Sequence, residues 1–146
     1  MVRHLPAIAC LAIALSACSS ESPVAPPAVA MPGDGVRFYA TELRPGDCLD
    51  SVPSDAIVTV VPCQRAHAAE YATTYILPNG DWPGADALTR HIQTGCGPRM
   101  RYVESRRDEV EVTGLAPTQA DWPRNRTVYC LAVPRRNGHL VGRVIK

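Results

Sequence analysis

The sequence predicts a small α+β domain, held by two disulfides, in which an antiparallel sheet packs against one main helix. Several short runs rich in β-branched and aromatic residues alternate with turn signals, as in the strands of an antiparallel sheet. One segment, between Leu88 and Val103, repeats apolar residues every four positions, which lines one face of a helix. Cys48, Cys63, Cys96 and Cys130 lie in the same part of the chain, and four exported cysteines are enough for two bridges.

The first 17 residues predict a lipoprotein signal peptide. Arg3 precedes an apolar run over residues 5–15, and Leu15-Ser16-Ala17-Cys18 supplies small residues before a cysteine. This segment resembles a bacterial lipoprotein signal, in which Cys18 is diacylated and becomes the new N-terminus. An ordinary signal peptide or a short membrane anchor with a chance cysteine is the alternative, although the run is too short to cross about 30 Å of hydrocarbon.

Residues 18–35 predict a tether that leads from the lipidated cysteine to the folded domain, residues 36–146. Prolines are frequent among its serines and alanines, and no apolar periodicity is present, so it cannot bury enough surface to fold. Acyl chains on Cys18 would therefore hold the domain at the extracytoplasmic face of the cell membrane. The net charge of +1 gives no global field that would favour nucleic acid, so we expect no nucleic-acid partner.

In chain order, the sequence of the folded domain predicts three strands, the helix and three further strands. The turn Arg44-Pro45-Gly46-Asp47 follows the first strand, and its aspartate is expected to cap backbone amides. Gly95, Gly97 and Pro98 are expected to break or kink the helix at Cys96 and leave two helical pieces. The predicted strands cover residues 36–43, 57–61, 70–77, 110–115, 127–133 and 140–145.

The four cysteines of the domain allow three connectivities. We favour Cys48 with Cys63, because this pair brackets one loop and strand, and Cys96 with Cys130, because this pair would fasten the helix onto a strand. A structural zinc site or a redox pair is the alternative. Zinc sites use paired ligands at short spacing and redox pairs use C-x-x-C, and neither pattern occurs among these cysteines.

The segment from Cys63 to Glu70 places a cysteine, a histidine and a carboxylate at a corner between two predicted strands. His67 and Glu70 could act as metal ligands or as an acid–base pair, with Asp81 and His91 as further ligands. The alternative is structural: Glu70 would hold the imidazole of His67, which would buttress the disulfide corner. We favour the structural alternative, because Asp81 and His91 belong to other elements with no diagnostic spacing.

Trp82 and Trp122 are each followed by proline in a predicted loop, and they could form a ligand-binding rim or pack loops together. No Gly-x-Ser-x-Gly motif, glycine-rich phosphate loop or paired acidic motif of a hydrolase occurs in the chain. We therefore expect no enzymatic activity, no cofactor and no resident metal.

Residues 42–142 resemble the septum-formation domain family of actinobacterial membrane proteins and lipoproteins. The motifs that carry the resemblance are Pro45-Gly46-Asp47-Cys48-Leu49, Val61-Pro62-Cys63 followed by His67 and Glu70, Trp82-Pro83-Gly84, Cys96, Trp122 before Arg126 and Val128-Tyr129-Cys130-Leu131, and Leu140-Val141-Gly142. The resemblance implies a link to division-septum or envelope growth.

These observations together predict a membrane-anchored extracytoplasmic lipoprotein. Its domain is expected to be a non-enzymatic binding or scaffold module with a cell-wall or envelope protein as partner. The alternatives are a metal-dependent enzyme centred on His67 and Glu70 and a lipoprotein that senses a solute or signal.

Overall fold

Six strands form one antiparallel sheet in the computed structural model, which describes residues 35–146. Their order across the sheet is β1-β3-β2-β4-β6-β5, and every neighbouring pair is antiparallel. The strands are β1 Val36–Tyr39, β2 Cys48–Leu49, β3 Ile57–Val61, β4 Ala69–Ile76, β5 Val110–Leu115 and β6 Thr127–Pro134. The helix α1 spans Ala85–Cys96, and short 3₁₀ turns cover Ala40–Glu42, Gly97–Arg99 and Glu104–Glu109. The predicted α+β class with an antiparallel sheet and one main helix is confirmed.

Three strand predictions need correction. The first strand ends at Tyr39 rather than continuing to residue 43, and the two-residue strand β2 was not predicted. Residues 140–145 do not form a strand. Only Leu140 and Ile145 make isolated bridges, to His67 and Tyr102 respectively, because the amides of this segment donate to several different elements rather than to one neighbouring strand.

The helix ends at Cys96, as predicted, but the expected second helical piece is a single 3₁₀ turn over Gly97–Arg99. Pro98 lacks the amide hydrogen that a continued helix would need there. Gly95 does not break the helix. It is buried within α1, and the ring of Tyr75 occupies the space that a side chain at this position would fill, so the glycine allows the helix to approach the sheet closely.

A β-bulge in β4 decides which side chains share a face of the sheet. The register passes from Tyr71 opposite Leu131 to Thr73 opposite Cys130, so Ala72 is the extra residue. Tyr71 packs with Leu131 on one face, whereas Tyr75 packs with α1 on the other. Without the bulge, strict alternation would place both tyrosines on the same face.

Each face of the sheet has its own apolar core. The face that carries α1 buries the second disulfide and part of the C-terminal segment, through Ile92, Cys96, Val128, Cys130, Val144 and Ile145. The other face is filled by side chains from all six strands, including Phe38, Leu49, Val58, Tyr71, Leu115 and Leu131. Among residues 35–146, no helix is long and apolar enough to cross a membrane.

Candidate functional site

The corner between β3 and β4 is the most polar part of the buried interior. The chain leaves β3 at Val61, turns through Cys63 and enters β4 at Ala69. His67 and Glu70 both have 0% of their surface exposed. The backbone of His67 exchanges two hydrogen bonds with Leu140, at 3.0 and 2.8 Å, so the C-terminal segment lies directly against the corner.

Both predicted disulfides are present. Cys48 in β2 is joined to Cys63 with a Cα–Cα distance of 5.3 Å, and Cys96 at the end of α1 is joined to Cys130 in β6 at 5.5 Å. Cys48 lies directly opposite Glu70 in the pairing of β2 with β4. The first disulfide therefore brings the sulfur of Cys48 within 4.8 Å of a carboxylate oxygen of Glu70.

The carboxylate of Glu70 binds the backbone of the C-terminal segment. Its Oε2 accepts a hydrogen bond from the amide of Val144 at 2.6 Å, and its Oε1 accepts one from the amide of Ile145 at 3.1 Å. Burial raises the pKa of Glu70 above its ordinary value, while these two amide hydrogen bonds act in the opposite direction. The carboxylate thus satisfies two amide donors that would otherwise be buried without a partner.

The predicted contact in which Glu70 holds the imidazole of His67 is wrong. The Nδ1 atom of His67 lies 2.8 Å from the carbonyl oxygen of Arg65. Since a carbonyl oxygen only accepts, Nδ1 must carry the hydrogen. The other ring nitrogen, Nε2, is buried and has no hydrogen-bond partner among residues 35–146. Each residue of the predicted pair instead binds backbone, and the partners of Glu70 lie 74 and 75 residues further along the chain.

His67 and Glu70 are nevertheless close. A ring nitrogen of His67, a carboxylate oxygen of Glu70 and the sulfur of Cys48 all lie within 4.8 Å of one another. With the sulfur in a disulfide this is a poor metal site, because the thiolate is the form of cysteine that binds metals. Asp81 and His91, the further candidate ligands, do not join this group. They line a separate cavity of about 60 Å³ beside Trp122.

The two tryptophans pack against each other. The ring centroids of Trp82 and Trp122 are 5.7 Å apart and their planes make an angle of 72°, the edge-to-face arrangement that aromatic rings prefer. The indole nitrogen of Trp122 donates a hydrogen bond to the carbonyl of Gly80 at 2.9 Å. Of the two predicted roles, these contacts match loop packing.

Asp47 has the predicted capping role. Its carboxylate accepts a hydrogen bond from the amide of Arg44 at 2.8 Å, and its own amide donates to the carbonyl of Arg44 at 2.9 Å. Gly46, between them, has a φ of 91°, which favours glycine. The turn that precedes the first disulfide is therefore closed by local hydrogen bonds.

A groove that was not predicted from the sequence lies between the two edges of the sheet. Its volume is about 320 Å³, and its lining includes Tyr39, Ala56, Leu115, Pro117, Asp121 and Tyr129. The groove brings residues next to β1 and β5 together, although these strands are at opposite edges, so the sheet must curve. No local sequence pattern marks it, because it exists only once the sheet has curved. We call it the Tyr39 groove.

Cys18 and the predicted signal peptide lie outside the described residues, so the predicted lipidation stays a prediction.

Comparison with known proteins found no matching family model, no matching curated protein and no matching solved structure.

Proposed function

We propose that this chain is a lipoprotein held at the extracytoplasmic face of the cell membrane by lipid on Cys18. In this proposal its domain is a non-enzymatic binding or scaffold module, associated with cell-envelope or septum formation, and its partner is a cell-wall or envelope protein. The observation that carries the non-enzymatic part is the complete burial of His67 and Glu70. His67 and Glu70, the candidate acid–base pair of the sequence, instead form hydrogen bonds with the chain's own backbone.

A metal-dependent enzyme at the corner is not favoured by this geometry. A general acid or base must come within hydrogen-bond distance of its substrate. Glu70 and His67 are completely buried, each carboxylate oxygen of Glu70 accepts one hydrogen bond from an amide, and Nδ1 of His67 is bound to Arg65. A substrate could reach the corner only if the C-terminal segment moved away.

The Tyr39 groove is the surface that best supports a binding role. Tyr39, which lines the groove, is 62% exposed, and its cross-strand neighbour Ile57, which lies beside the groove and does not line it, is 42% exposed. Large apolar side chains that remain exposed beside one another at a sheet edge are typical of interaction sites. Asp55 and Asp121 line the same groove and give it a negative rim. This chemistry fits a protein segment that presents apolar side chains flanked by basic residues.

Proximity labelling in intact cells tests the anchor and the groove together. A labelling enzyme inserted within residues 19–34 lies between the lipidated cysteine and the described residues. The wild-type chain should label a small set of envelope proteins. Cys18→Ala should leave an uncleaved or unlipidated precursor that no longer enters the detergent phase, because the acyl chains supply the membrane affinity.

The groove is tested by Tyr39→Ser, which should lose the labelled partner while the chain still matures and still enters the detergent phase. Val141→Ser is the matched control, since Val141 is also an exposed apolar residue but lies in the segment that covers the corner. A Cys18→Ala product of mature size in the detergent phase would contradict the anchor. A partner retained equally by Tyr39→Ser and the control would contradict the groove.

A further inference from the structure

The free Nε2 of His67 and the neighbouring sulfur of Cys48 point to a second chemical state of the corner. We propose that reduction of the Cys48–Cys63 disulfide converts the corner into a Zn²⁺ site. The ligands are the thiolates of Cys48 and Cys63, Nε2 of His67 and one carboxylate oxygen of Glu70. The oxidised corner holds the C-terminal segment, and the reduced corner holds a metal ion as well.

The distances in the oxidised corner are close to those that zinc needs. The ligand atoms of Cys48, His67 and Glu70 lie within 4.8 Å of one another, and the sulfur of Cys63 is bonded to that of Cys48. Tetrahedral zinc with bonds of about 2.0 to 2.3 Å separates its ligands by about 3.4 to 3.7 Å. After reduction, Cys48, His67 and Glu70 need to approach one another by at most about 1 Å, and the sulfur of Cys63 must move away from that of Cys48, from 1.96 Å to about 3.7 Å.

The orientation of His67 is already that of a metal ligand. Its Nδ1 hydrogen points at the carbonyl of Arg65, which leaves Nε2 as the nitrogen with a free lone pair. Histidine ligands are commonly oriented in this way by a carbonyl or carboxylate on the other nitrogen. A buried nitrogen without a partner is costly in the oxidised protein, and a bound cation would supply the missing partner.

Glu70 can bind the metal ion without releasing the C-terminal segment. A carboxylate offers about four lone-pair positions, and the amides of Val144 and Ile145 use two of them. These amides also fix the direction of the carboxylate, as hydrogen-bond donors around a metal ligand commonly do.

Reduction of the Cys48–Cys63 disulfide requires an external dithiol as the reductant. The dithiol gives two electrons and two protons to the Cys48–Cys63 bond, and its own sulfurs form a disulfide. Cys48 and Cys63 then carry thiols, and zinc binding releases the two thiol protons to solvent. At the oxidised corner neither Cys48 nor Cys63 can supply a thiolate, and the metal site is therefore absent.

Cobalt titration of the full chain tests the proposal, because Co²⁺ reports tetrahedral thiolate ligation through its absorption. A phosphine is the reductant, which avoids competing thiols. The reduced wild-type chain should bind one Co²⁺ at the corner with thiolate-to-metal absorption, and Zn²⁺ should displace it. The oxidised chain should show no such absorption. His67→Gln should weaken binding by more than about 100-fold, the upper end of the loss seen when only an outer-shell partner of a ligand is removed.

Two double variants separate this site from the other thiols of the chain. Cys96→Ser/Cys130→Ser should keep the signal, whereas Cys48→Ser/Cys63→Ser should lose it. If reduction unfolds the chain, Zn²⁺ should restore the far-UV circular dichroism of the wild type but not that of His67→Gln. The proposal is overturned if reduced wild type gives no tetrahedral cobalt spectrum, if Cys48→Ser/Cys63→Ser keeps it, or if His67→Gln binds as tightly as wild type.

Discussion

The two disulfides of this domain lie in contrasting surroundings. Cys96–Cys130 joins α1 to β6 inside an apolar cluster that includes Ile92 and Val128. Cys48–Cys63 has Val61 as its apolar neighbour and the buried polar side chains of His67 and Glu70 beside it. The Cys96–Cys130 bridge strengthens packing that hydrophobic burial already favours. The Cys48–Cys63 bridge lies beside polar groups, of which Glu70 holds the C-terminal segment by hydrogen bonds.

The largest expected decrease in the free energy of unfolding comes from loss of the Cys96–Cys130 bridge. It spans 34 residues, and the loop-entropy model assigns it about 4 kcal/mol, whereas Cys48–Cys63 spans 15 residues and is assigned about 3 kcal/mol. Cys96→Ala/Cys130→Ala should therefore lower the free energy of unfolding more than Cys48→Ala/Cys63→Ala. Urea unfolding of both double variants measures the difference. The reverse order would show that the polar corner contributes more than chain entropy predicts.

The next effect is the loss of the hydrogen bonds at the corner. Glu70→Ala leaves the buried amides of Val144 and Ile145 without an acceptor, and His67→Ala removes the donor to the carbonyl of Arg65, so each should cost about 1 to 3 kcal/mol. The two losses should not add in the double variant, because the side chains are within 4.8 Å of each other. Thermal unfolding gives the energies, and hydrogen exchange should show faster exchange at residues 144 and 145 in Glu70→Ala.

Asp108→Ala is the matched control for the corner variants, since Asp108 is an exposed carboxylate and its removal should change stability by less than about 0.5 kcal/mol. If the amides of residues 144 and 145 stay protected in Glu70→Ala, the carboxylate does not hold this segment. Fully additive energies would mean that His67 and Glu70 act independently.

The smallest expected effect is a dependence of stability on pH. Burial raises the pKa of Glu70 in the folded state above its ordinary value near 4.5, so the folded protein binds the proton more tightly than the unfolded chain. Protonated Glu70 contributes to the free energy of unfolding fully below its ordinary pKa, and this contribution is lost as pH rises through the pKa of the folded state. Glu70→Gln has no carboxyl group to titrate here, so its free energy of unfolding should not fall for this reason. The measurement is the difference in unfolding free energy between wild type and variant across that pH range, and a constant difference would contradict the raised pKa.

Most of the fold followed from local patterns in the sequence. The β-branched runs located β3, β5 and β6, and the four-residue apolar repeat located α1, because strands and helices with one buried face require these periods. The disulfide pairing also followed, because Cys48 and Cys63 bracket one loop and strand, and the remaining pair fastens the helix onto a strand. The two-residue strand β2 carries too few residues to show any period.

The corner could be found in the sequence, but its contacts could not. His67 and Glu70 are three residues apart, which suggested that they bind each other, yet the partners of Glu70 are Val144 and Ile145. Apolar residues at 140–145 suggested a strand, although the amides there pair with a side chain and with scattered carbonyls. Long-range hydrogen bonds of this kind leave no periodic signal. The curvature that forms the Tyr39 groove leaves none either.

The distance along the chain between Glu70 and its partners has a consequence for the order in which the domain folds. Glu70 precedes Ile145 by 75 residues, and until residues 144 and 145 reach the corner their amides cannot replace water at its carboxylate. The early strands β1 to β4 therefore cannot close over this side chain without a large desolvation cost. We therefore expect the corner to close late in folding, when the C-terminal segment brings the amides of Val144 and Ile145 to the carboxylate.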